Sequence, residues 1–87
     1  MPNTLVVSKF DCPFSDFEAM VRKVDKEQGY VFCSELEIIK VNEHKAMILM
    51  DCSDLQKFGA MLDQQELKQW DKDNNCVDTV YNLELVN

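Results

Sequence analysis

A chain of 87 residues, 46% apolar and 29% charged, is long enough for one globular core and too short for two. Its formal net charge of -7 repels nucleic-acid phosphates and anionic lipid heads, and its lysines are interleaved with acids ("RKVDKEQ", "WDKDNN") rather than gathered in a basic stripe, which argues against nucleic acid and membrane surfaces as partners. No run approaches the ~20 apolar residues that span a bilayer, and "MPNTLVVSKF" lacks the basic-then-apolar pattern of a signal peptide, so the expectation is a cytoplasmic protein whose four cysteines are thiols.

Taken in chain order, "TLVVSKF" is rich in β-branched residues and reads as a first strand, broken by "DCPF". A helix from about Asp16 to Gln28 follows, with Ser15 and Glu18 as a capping box and Phe17, Met20, Val21 and Val24 on one stripe. Gly29 suits the position just beyond its end. "YVFCSELEIIKV" and "KAMILMDC" are two strands joined at Asn42-Glu43-His44. Ser53, with Gln56 completing a second capping box, opens a helix carrying Leu55, Phe58, Gly59 and Leu62. The helical phase slips at "DQQ", and a short helix with Leu67 and Trp70 runs to about Lys72. "VDTVYNLELV" is the last strand. The order β-α-β-β-α-β predicts an α+β domain over residues 1–87: a four-stranded antiparallel sheet with its helices on one face, the ferredoxin-like arrangement.

The two-residue period of a strand limits how the central hairpin pairs. Matching its apolar sets puts Ile38 opposite Ile48 and Leu36 opposite Met50, with a three-residue loop. Cys52 then faces Ser34, and Cys33 turns to the other side, which excludes a bond or shared metal between the two cysteines. The alternative register sets Cys33 against Cys52 but places Glu37 opposite Ile48 and Glu35 opposite Met50. In the first register the face away from the helices carries Leu5, Val7, Val31, Cys33, Ile39, Val41, Met47, Leu49, Val80 and Val86 beside Lys9, Glu35, Glu37, Asp78, Asn82 and Glu84. So apolar a face calls for a cover, and a second copy of the same sheet is the simplest one. The interface expected from this reading comprises Val7, Val31, Ile39, Met47, Leu49 and Val80.

Residues with chemical potential are few. The cysteines are widely spaced, with no C-x-x-C and no histidine at zinc spacing, so no metal site is expected. Cys12 lies near a helix N-terminus, where the dipole lowers a thiol pKa. His44 reads as a solvated turn residue, and a single histidine with no neighbouring nucleophile makes no triad. Trp70 packs either on the core or on the wall of a ligand cleft. Met47, Met50 and Met61 read as core, while Glu35 and Glu37 form a polar rim or, in a half-buried cleft, a base. No phosphate loop, H-E-x-x-H or EF-hand pattern is present.

"TLVVSKF", "FSDFEAMVRKV" and above all "SDLQKFGAMLDQQELKQW" give the chain a pattern that resembles the dimeric α+β-barrel superfamily, which includes the antibiotic-biosynthesis monooxygenases; it is also similar to a small family of marine cyanobacterial proteins. The resemblance covers nearly the whole chain. It implies a homodimer built through the sheets, with a cleft between sheet and helices that takes a small apolar ligand and needs no cofactor. Trp70, Phe58, Met61 and Cys12 are the cleft residues it suggests. Some members oxidise polycyclic aromatics without a cofactor, so a cofactor-independent monooxygenase or isomerase is the enzymatic alternative to a module that binds a small apolar ligand or a protein partner, the net negative charge suiting a basic one. Haem-degrading members use an Asn, a Trp and a His; here His44 sits in the hairpin turn and no asparagine has a match, which argues against haem chemistry.

Overall fold

Four strands and three helices follow one another in the order β-α-β-β-α-α-β, and the sequence accounts for most of their boundaries. The structure is a computed structural model that describes residues 1–87. Strand β1 (Thr4–Lys9) leads to helix α1 (Phe14–Glu27), and a 3-10 turn (Gly29–Val31) precedes β2 (Cys33–Asn42). The hairpin continues into β3 (Lys45–Cys52), then α2 (Leu55–Leu62), α3 (Gln65–Asp73) and β4 (Val77–Asn82). All neighbouring strands are antiparallel, in the order β2-β3-β1-β4. No helix is long and apolar enough to cross a membrane.

The core lies between the sheet and the helices. Ala46, Ile48, Met50 and Cys52 of β3 are buried together on one face, as period two requires, with Val6 of the neighbouring β1 beside them. Phe17 is 1% exposed and stacks on Phe10 at 4.3 Å between ring centroids, while Met20, Val21 and Val24 continue its stripe over the same core. In α2 the inward residues are Phe58 and Met61, with Leu62 beside them; Leu55 and Gly59 face out, a shift of phase from the expected stripe.

Both helix starts differ from the capping boxes read in the sequence. Helix α1 begins one residue after Pro13 and contains Ser15; its first N–H, of Phe14, donates instead to Glu43 Oε2 at 3.4 Å, from the hairpin turn. Pro13 sets this start because it lacks an N–H and holds an extended backbone at the N-cap. At α2 the cap is Asp54 rather than Ser53, its carboxylate accepting from Lys57 N–H at 3.0 Å. Gly29 does not end α1 in a left-handed conformation. It is buried at the start of the 3-10 turn, where a Cβ would lie 3.3 Å from Asp25 Oδ1.

The hairpin register is a composite of the two alternatives. Ile38 pairs with Ile48 near the turn, and Cys33 pairs with Cys52 at the far end. Between Ser34 and Glu37 the second strand carries a bulge, in which Glu35 takes φ 55°. One inserted residue flips the alternation, so Cys33 is buried on the helix side and not on the open face. A second irregularity between Lys40 and Asn42 shortens the turn to Glu43-His44.

Val80 is also placed differently. It pairs with Val6, as Asp78 pairs with Ser8 and Asn82 with Thr4, so all three lie on the helix side. The open face comprises Leu5, Val7 and Lys9 of β1, Glu37 and Ile39 of β2, Lys45, Met47 and Leu49 of β3, and Val77, Thr79 and Tyr81 of β4. Val31 is exposed but belongs to the 3-10 turn, outside the sheet.

Candidate functional site

The end of α3 builds one side of the site. Asn75 adopts φ 49° just past the helix, Cys76 N–H donates to the Asp71 carbonyl at 2.8 Å and Asn75 N–H to the Lys72 carbonyl at 3.5 Å. This is a Schellman ending with asparagine in the left-handed position usually held by glycine. It folds the first residues of β4 back beside Asp71. The ligand atoms of Asp71, Cys76 and Asp78 consequently lie within 4.8 Å of one another. From β1, the buried Ser8 Oγ donates to Asp78 Oδ1 at 2.6 Å, and the Cys76 thiol donates to the same oxygen at 3.5 Å.

These groups perturb one another. Burial, then the Asp78 charge, raises the Asp71 carboxyl above the usual carboxylate range. Burial, then the charges of Asp78 and Asp71, pushes the Cys76 thiol far up. The trio therefore holds a protonated thiol between two carboxyl groups. Asp71, Cys76 and Asp78 are the residues that could present a metal with three ligands.

Asp71, Asp78 and Ser8 lie on the wall of a cavity of about 80 Å³ between sheet and helices. Its other walls are apolar apart from Asp25: Val6, Ile48 and Met50 from the sheet, Phe17, Met20 and Val21 from α1, Phe58 and Met61 from α2. Cys33 and Leu36 close the side of the bulged strand. A mainly apolar chamber with a few polar groups on its wall is the usual form of a small-ligand site.

Of the four residues expected in a cleft, Phe58 and Met61 line this cavity, whereas Trp70 and Cys12 do not. Trp70 packs half-buried against Phe17, 6.3 Å between ring centroids, and lines a second hollow of about 290 Å³ between α1 and α3, whose other residues include Asp16, Lys23, Glu27 and Glu66. Cys12 is buried in the core, and burial, then Asp16, raises its thiol pKa rather than lowering it. His44 is exposed in the turn, and its Nδ1 donates to the Cys12 carbonyl at 3.2 Å. Glu35 pairs with the N-terminal amine at 2.8 Å, and Glu37 is exposed opposite Leu49. The carboxylates that do reach the cavity are Asp25, Asp71 and Asp78; Asp78, expected on the open face, is turned to the helix side, and the one sequence signal for its meeting with Asp71 is the short run "DKDNNCVD", which returns two acids and a thiol across a helix end.

Comparison with protein-family models, with curated proteins and with solved structures finds no match.

Proposed function

We propose that this chain is a homodimeric module of ferredoxin-like, dimeric α+β-barrel type that holds a small apolar ligand between its sheet and its helices. The observation that carries the reading is the apolar cavity of about 80 Å³. An apolar chamber of ~150 Å³ stays dry and takes benzene or xenon, so one about half that size suits an atom or a short-chain molecule more than a ring. The strand order β2-β3-β1-β4 supports the ferredoxin-like placement, because it is what two right-handed β-α-β crossovers generate. The open face, with Ile39 39%, Tyr81 49% and Val77 65% exposed, supports the dimer.

The test is a titration with xenon and with benzene, followed by the methyl resonances of the full chain. Saturable shifts confined to Val6, Val21, Ile48 and Met61, and abolished by Val21→Phe, are expected, with xenon the tighter probe. Shifts spread over the surface, or equal in the filled variant, contradict it.

Cofactor-independent proton transfer, as in an isomerase or monooxygenase, is the second reading, and one observation favours it. Asp71, whose carboxyl is raised by burial and by Asp78, stands on the cavity wall where a base would meet an apolar substrate. On that reading Asp71→Asn abolishes turnover of a bound C–H acid while leaving xenon binding intact.

A further inference from the structure

Cys33 and Cys52 face each other across β2 and β3, both buried on the helix side. The backbone around them defines the geometry of the pair. Cys52 N–H donates to Asn3 Oδ1 and Asn3 Nδ2 donates to the Cys52 carbonyl, both at 2.8 Å, so both backbone groups of Cys52 point toward β1. On the β2 side the next ladder bond is Ser53 N–H to the Phe32 carbonyl at 2.8 Å. The two cysteines therefore form a non-hydrogen-bonded antiparallel pair, the class whose Cα atoms lie about 4.5 Å apart and whose side chains are closest. That spacing falls within the ~4.4–6.8 Å range that a disulfide bridges.

We propose that Cys33 and Cys52 form a reversible disulfide that locks the bulged end of β2 onto β3. The reaction is exchange with a small-molecule disulfide such as oxidised glutathione. One cysteine, as thiolate, attacks a glutathione sulfur; the glutathione S–S bond breaks, and the departing thiolate takes up the proton that the cysteine lost. The second cysteine then attacks the mixed disulfide, the Cys33–Cys52 bond forms, and the second glutathione leaves as a thiol. Two protein thiols are oxidised and one disulfide is reduced to two thiols. Burial, then the neighbouring Cys52, pushes the Cys33 thiol up to about 12, so exchange is slow and proceeds over hours. Cys33 also lines the cavity, so the bond couples redox state to the shape of that chamber. Cys12 and Cys76 lie elsewhere in the fold and serve as internal controls.

The test incubates the folded wild-type chain for a day at rising ratios of oxidised to reduced glutathione, quenches with acid, alkylates the denatured chain and maps the peptides. The expected product is lighter by two hydrogens, with Cys33 and Cys52 linked and Cys12 and Cys76 alkylated. Its thermal midpoint is higher by on the order of 10 °C, as closure of a loop of this length implies. Reductant reverses both changes, and Cys33→Ser abolishes them. A chain that stays fully alkylatable, that stops at a glutathione adduct, or that links these cysteines only in denaturant overturns the proposal.

Discussion

Asp71 is held near a second carboxylate by a helix ending, and that local constraint has a measurable consequence. Because the fold raises its pKa, the folded chain keeps the Asp71 proton to higher pH than the unfolded chain does. Its contribution to stability is fully present below the ordinary aspartate range and is lost as pH rises through the raised value. Asp71→Asn removes that loss. Since Asp71 remains partly open to water, the gain at neutral pH is screened to about 0.5 kcal/mol, and it vanishes in acid. Thermal unfolding of both proteins across the acid range checks this; a variant less stable than wild type at neutral pH counts against the carboxylate repulsion. Glu43 shows the opposite sign. Lys40, followed by the Phe14 N–H, lowers its carboxyl below the usual value, so its support of the start of α1 is present at neutral pH and lost as pH falls through that lowered value. Neither role was legible in the sequence, because each depends on groups brought together by the fold: Asp71 with Asp78 around a helix end, Glu43 with a helix start 29 positions away.

At the scale of the element, periodicity and strand propensity served better than capping signals, and long-range register was not legible. The stripe of Phe17, Met20, Val21 and Val24, the pairing of Ile38 with Ile48, and the break before α3 follow from period and propensity alone. The bulge at Glu35 left no such signal, because a residue at φ 55° is expected to be glycine, asparagine or aspartate. Its absence made two registers look like alternatives when the strand uses both. The face of β4 differs from the one alternation predicts for a related reason. No turn ties β4 to β1, and what aligns them, the Ser8–Asp78 hydrogen bond, is a contact across 70 positions. The bulge is directly testable. Glu35→Gly relieves the left-handed backbone and should raise stability by about 0.5–1 kcal/mol, despite loss of the exposed pair with the N-terminal amine. Glu35→Val should lower it. Chemical denaturation of both variants decides, and equal midpoints would place no strain at this position.

On the scale of the molecule, one thin sheet carries apolar side chains on both surfaces. The inner surface meets α1, α2 and α3 and walls the cavity; the outer one presents Leu5, Val7, Ile39, Met47, Leu49, Val77 and Tyr81 with only a few charges among them. Most of this second surface could be read from alternation alone; Val80 and Cys33 left it and Val77 and Tyr81 entered it because the actual registers differ from the expected ones. Small domains gain little stability from their own core, so the proposed second copy, by covering the outer surface, would stabilise both the fold and the shape of the cavity behind it. Leu49 lies on a central strand of that surface, and in the proposed dimer Leu49→Asp would place a charge where the copies meet. The decisive measurement is the solution mass of wild type and Leu49→Asp by sedimentation equilibrium. A wild-type particle of about twice 10.1 kDa that falls to a single chain in the variant is the expected result; a wild-type mass of 10.1 kDa, or a variant that keeps the doubled mass and the wild-type stability, contradicts it.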